Sequence, residues 1–172
     1  ANYGNSLSGV FDMNLRAGND EHAEYTLQAG LIGVDLSAEG PISRKSGSSY
    51  LVNYRYSFTG LLGALGVTFG GEDIRYQDLA FNLRFPTEKA GTFTVFGMGG
   101  RSSNVFTGLR DDSTRIENKE RFDIDFTSDM GAIGVTHEKV LNQKTFWRSV
   151  VAFSGIDSRR SGRFIQDSLT TI

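Results

Sequence analysis

The sequence predicts an all-β fold, an antiparallel meander of strands, on three observations. The 172 residues include 21 Gly, 13 Phe and 6 Tyr against only 2 Pro, a bias that suits aromatic strands joined by flexible turns. Several segments alternate apolar and polar residues with period two, the signature of a strand with one face buried. Glycine-rich or polar turn signals separate these segments along the chain.

Taken in order, residues 5–16, with Val10, Phe11, Met13 and Leu15 apolar, read as a short strand that ends at a polar link, 17–22. In residues 24–39, Tyr25, Leu27 and Ala29 are apolar at odd positions, and after Gly30-Leu31-Ile32-Gly33 the parity reverses to Val34, Leu36 and Ala38. A continuous strand keeps its faces, so this switch predicts a tight hairpin at 30–33. Residues 40–47 read as a turn. Residues 49–58 are the clearest strand, with Tyr50, Val52, Tyr54, Tyr56 and Phe58 opposed by Ser49, Leu51, Asn53, Arg55 and Ser57.

Residues 59–73 are glycine-rich and irregular, and Leu79, Phe81, Leu83 and Phe85 then alternate with Asp78, Ala80, Asn82 and Arg84. Residues 86–91 read as a turn and 92–100 as a strand, with Gly97-Met98-Gly99-Gly100 as its end or a tight bend. A long charged connection is expected over 101–126, strands over 131–137 and 145–156, a short turn at 140–143, and a polar tail from Ser158. In the last strand Trp147, Val151 and Phe153 share one face and Arg148 and Ser154 the other.

The formal charge of −2 offers no basic field for nucleic acid, so no nucleic-acid partner is expected. With no Cys there is no disulfide framework, thiolate metal site or Cys nucleophile. No stretch approaches the roughly 20 apolar residues of a spanning helix, which leaves strand-built membrane proteins open. Residues 1–8 lack the basic and apolar regions of a secretory leader.

Short connections (41–47, 86–91, 140–143) alternate with others at 30–33, 59–73, 101–126 and after 157. Short turns on one rim and longer loops on the other are the pattern of an outer-membrane barrel, the 30–33 hairpin being the one short member of its rim. Two readings share this periodicity. In a barrel, the polar set Asp35, Glu39, Asn53, Arg55, Asp78, Asn82, Arg84 and Arg148 faces a wet lumen, and Tyr50, Val52, Tyr54, Tyr56, Phe81 and Trp147 face lipid and its interfaces. In a soluble or surface-attached ligand-binding module, for glycans for example, the aromatic face is instead a buried core.

Residues 3–19, Tyr-Gly-Asn-Ser-Leu-Ser-Gly-Val-Phe-Asp-Met-Asn-Leu-Arg-Ala-Gly-Asn, resemble the end of the plug domain of TonB-dependent outer-membrane receptors of the Bacteroidetes type. Glu39-Gly40-Pro41 with residues 49–57 is similar to that family's second and third barrel strands and the periplasmic turn between them. Residues 76–83 and 128–132 resemble later strands. The resemblance spans most of the chain and implies a fragment: 1–19 as the plug's end and linker, 20–172 as the N-terminal part of a transmembrane β-barrel in the bacterial outer membrane. About seven strands would be present, of a barrel of roughly 22. It implies import of a nutrient (glycan, peptide or metal chelate), with long loops outside. The TonB energising complex would act through segments absent here; outer-membrane lipid and a surface lipoprotein are the other partners implied.

Catalytic signatures are sparse. G-x-S-x-G does not occur, and His22 and His137 lack neighbours at metal-ligand spacing. Asp123, Asp125 and Asp129 miss the calcium-loop pattern, with Ser128 where Gly is required, and Arg110, Arg115, Lys119 and Arg121 make a mixed-charge loop the simpler reading. The expectation is therefore no enzyme, no cofactor and no metal. Counting outward from a turn centred on Lys45 sets Asp35 opposite Arg55, a specific expectation of register.

Overall fold

The computed structural model describes residues 15–30, 33–58 and 72–165. The chain is all-β: one antiparallel sheet of seven strands in the order β1-β2-β3-β4-β5-β6-β7, not closed on itself. The strands are β1 (Glu24–Gly30), β2 (Gly33–Ser43), β3 (Ser48–Phe58), β4 (Glu72–Thr87), β5 (Gly91–Phe106), β6 (Phe122–Asn142) and β7 (Thr145–Phe164). Each pairs with its neighbour in sequence, so every connection is a hairpin. The expected plug strand at 5–16 lies almost wholly outside the described residues, as does most of the loop at 59–73.

The parity switch between Tyr25 and Val34 is a hairpin, with Gly30 paired to Gly33 and Ala29 to Val34. At the opposite end, β2 and β3 turn through residues 44–47 with a register shift between Pro41 and Ser43. Gly47 and Gly91 hold φ of 66° and 90°, the left-handed region that glycine enters without steric penalty. Strand β4 runs through Pro86, which pairs with Thr92 one residue from the strand's end. The turn expected over 86–91 is thus confined to 88–90.

Several expectations need correction, beginning with the turns expected over 40–47 and 140–143, of which residues 40–43 and 140–142 are strand in β2 and β6. Residues 101–106 and 122–126 are strand, because Arg101 pairs with Asp129 and Asn104 with Phe126 as β5 and β6 extend together. The tail from Ser158 continues β7 to Phe164, laddered to β6. Gly97-Met98-Gly99-Gly100 lies inside β5, not at an end. There the Phe81 ring lies over Gly97, so that an added Cβ would stand 2.5 Å from it; on the other face Phe96 lies over Gly134 in the same way. Aromatic rings covering glycines of the next strand supply the packing that the glycines lack.

The ladders sort the side chains onto two faces. Val34, Tyr56, Tyr54, Val52, Leu79, Phe81, Val95, Ile133, Val151 and Phe153 share one face by register, here the apolar face. It is largely uncovered: Leu27 is 71% and Phe153 73% exposed. The opposite, polar face holds the most buried side chains, among them Ser49, Asn82, Glu39 and Thr136. A solitary soluble sheet would bury the reverse set.

Candidate functional site

All eight expected polar residues share the polar face: Asp35 and Glu39 on β2, Asn53 and Arg55 on β3, Asp78, Asn82 and Arg84 on β4, and Arg148 on β7. Tyr50, Val52, Tyr54, Tyr56, Phe81 and Trp147 all stand on the apolar face. Asp35 and Arg55 are direct cross-strand partners, as expected, although the turn pairs Ser43 with Ser48 and the register shift between Pro41 and Ser43 is what brings the two opposite each other. Their charges nonetheless pair elsewhere. Arg55 bonds Asp78 at 2.9 Å, while the Asp35 carboxylate accepts from Asn53 Nδ2 at 2.8 Å. The polar row thins across the sheet, where Met98, Ala132 and Ala152 occupy the same face.

The centre of this face is occupied by the chain itself, because residues 15–19 cross it before β1. Asn82, 4% exposed, donates from Nδ2 to the carbonyls of Leu15 (3.2 Å) and Arg16 (2.8 Å). The Glu39 carboxylate accepts from both terminal nitrogens of Arg16, Nη1 at 2.7 Å, and from the Asn19 backbone N–H at 2.8 Å. A Cβ at Gly18 would strike the Tyr50 carbonyl, so the segment lies hard against β3. Asn19 Oδ1 then accepts from the N–H groups of Glu21 (2.9 Å) and His22 (3.0 Å), an Asx turn that leads the chain into β1. Neither Arg16, Gly18 nor Asn19 belongs to the expected site set. Their only local signature is the Gly-Asn pair, a turn signal that says nothing of where the segment docks.

Arg148 pairs with Glu138 at 3.2 Å. Arg84, nearby on the same face, has neither an ion pair nor a hydrogen bond among the described residues, and with Asn82 it lines a cavity of about 350 Å³ beside Leu15.

On the long-loop rim, residues 107–121 fold into two short 3-10 turns, 112–114 and 118–121. Asp111 caps the first by accepting from the Ser113 N–H at 3.0 Å. Glu120 accepts from the N–H groups of Ile116 (2.5 Å) and Glu117 (2.9 Å), and these bonds hold its carboxyl below the ordinary value. Arg115 threads the loop, donating to the Leu109 carbonyl and to Asp112, each at 2.8 Å. Lys119 reaches β4 to pair with Glu72 and sits 4.2 Å over the Phe106 ring. Ile116 is displayed at the tip, 93% exposed.

The apolar face ends sharply toward this rim. The row Leu79, Gly99, Gly131 and Gly155 is followed two residues on by Gln77, Arg101, Asp129 and Asp157. Here Arg101 bonds Asp129 at 2.6 and 2.9 Å, Arg75 bonds Asp73 at 2.8 Å and Arg159 bonds Asp157 at 3.0 Å. The acidic residues Asp123 and Asp129 are thereby held by Arg110 and Arg101. Among the described residues no group of three potential metal ligands converges. The polar face thus holds the segment 15–19 through Asn82 and Glu39, and the loop 107–121 is tied together by its own hydrogen bonds and ion pairs. Compared with protein-family models, curated proteins and solved structures, the chain matches none.

Proposed function

We propose that this chain is the end of the plug and the first seven barrel strands of a TonB-dependent outer-membrane receptor that imports a nutrient. The observation that carries the proposal is the location of residues 15–19. The leading segment packs on the polar face, through Asn82 and the Arg16–Glu39 pair, while the apolar face stays uncovered. This is the inside-out arrangement of a barrel wall with a plug linker in its lumen; a sandwich would cover the aromatic face instead.

The dimensions support it. On β6 the uncharged stretch between Asp129 and His137 spans eight residue steps, about 26 Å along the strand. At a tilt of about 40° it would stand about 20 Å high, near the roughly 25 Å band of outer-membrane barrels. In this reading the nutrient is captured by the loop rim, where 107–121 is preorganised. The TonB complex then works through plug segments absent here, and gating is a change of conformation without bond chemistry.

The test uses the full-length protein: cell fractionation, then gel mobility of boiled and unboiled outer-membrane extract. A membrane-bound protein whose unboiled band migrates differently is the expected result. A soluble protein of single mobility overturns the reading in favour of an all-β binding module with a covered aromatic face.

A further inference from the structure

We propose that the short-turn rim docks on anionic phospholipid headgroups, an inference that rests on the reading of the apolar face as lipid-facing. Arg44 and Lys45 in the turn 44–47, Lys89 in 88–90, Lys144 in 143–144 and Lys139 near the end of β6 make no ion pair among the described residues. All but Lys139 are fully exposed. Against them stand Glu88, in the same turn as Lys89, and Asp20 and Glu21 on the leading segment, while Glu138 is taken by Arg148. The long-loop rim is different: Arg75, Arg101, Arg110, Lys119 and Arg159 are each paired with a carboxylate.

The geometry selects a headgroup layer over a single ligand. Successive short turns lie two strand spacings apart, about 10 Å, so their cations form a line along the rim. Four of the five are lysines, flexible point charges that follow mobile phosphates, where a fixed acidic protein surface would favour the planar fork of arginine. The same rim borders the apolar face. Phe93 stacks on His137 at 4.4 Å, His137 Nε2 donates to the Ala90 carbonyl at 2.7 Å, and Trp147 stands opposite Lys139. Aromatic rings with lysines just beyond them are the anchors of a membrane interface, the lysine stem lying along apolar surface and its ammonium reaching the phosphates. An anionic leaflet attracts such a line of cations, and a zwitterionic one, with no net charge, does not.

The test uses the full-length protein with a single cysteine, Gln143→Cys, carrying a fluorophore, in phosphatidylcholine vesicles doped with spin-labelled phosphatidylglycerol or spin-labelled phosphatidylcholine. Quenching should show phosphatidylglycerol enriched at the rim by about fivefold over phosphatidylcholine, the effect of one basic residue near a charged surface. The excess should fade in about 1 M salt, where the screening length is about 3 Å. It should vanish in the variant that combines Lys45→Gln, Lys89→Gln, Lys139→Gln and Lys144→Gln. The heat-dependent gel shift shows which variants fold; if the fourfold variant does not, Lys89→Gln with Lys144→Gln, confined to exposed turns, should still reduce the excess. Equal quenching by both lipids, which points to an acidic protein partner, overturns the inference, as does a preference that survives the substitutions. Either result leaves a membrane-embedded protein and the importer reading standing. A protein absent from the vesicles fails the importer reading itself, and this inference with it.

Discussion

Asn82 shows how one side chain can hold a segment that carries no regular structure. Its buried amide replaces the main-chain partners that Leu15 and Arg16 would find in a sheet. Replacing it by Leu removes both donors while keeping the branched shape of the side chain, and should lower stability by about 1 to about 3 kcal/mol, read as a reduced midpoint of urea unfolding. The same change at exposed Gln77 should leave the midpoint within about 0.5 kcal/mol. Residue-level reasoning from the sequence reached the cross-strand neighbours Asp35 and Arg55 by counting from a turn centred on Lys45, but the register itself is set by the shift between Pro41 and Ser43, which no count from the turn contains. It could not reach Asp78 as the true partner of Arg55, since β3 and β4 are separated by the long connection 59–71 and no count crosses it.

Turns and loops carry their own predictions. Gly91 holds φ of 90° at the β4–β5 turn, and a Cβ there would strike the Glu138 carbonyl on β6. Gly91→Ala should therefore destabilise the sheet by about 1 to about 3 kcal/mol, measured by the same unfolding midpoint. In the loop 107–121, Glu120 is the cap that gathers the Ile116 and Glu117 amides. Those bonds lower its carboxyl from the ordinary 4.5, so the folded loop favours the ionised form. The sign follows: this support is fully present above pH 4.5 and is lost as the pH falls through the lowered value. Amide exchange at Ile116 and Glu117 should accordingly show protection that declines only in acid, and Glu120→Gln should weaken it already at neutral pH. The charged ends of β5, β6 and β7 escaped the sequence reading for a related reason. Arg101, Asp129 and Arg159 have no apolar alternation; Arg101 and Asp129 become strand with an ion pair across β5 and β6, and Arg159 through its ladder to Thr127 on β6.

For the whole molecule, the decisive contrast is between the two faces. If the apolar face meets lipid, Ile133→Lys near the middle of the band should cost about 2 to about 4 kcal/mol, while Gln77→Lys, in the row level with the Arg101–Asp129 pair, should cost about 0 to about 1 kcal/mol. Thermal midpoints of the unboiled gel band, compared between the two variants, measure that gradient; equal losses at both positions would contradict a depth-dependent medium. The sequence by itself determined the all-β class, the alternation of the rims and the side-chain set of each face, because period-two patterning and turn composition are local properties. The tertiary structure alone decided which face is covered, that Arg16, Gly18 and Asn19 dock there, and where each long strand ends. Those outcomes depend on contacts between residues far apart in the chain, such as Arg16 with Glu39 and Leu15 with Asn82, and no local periodicity encodes them.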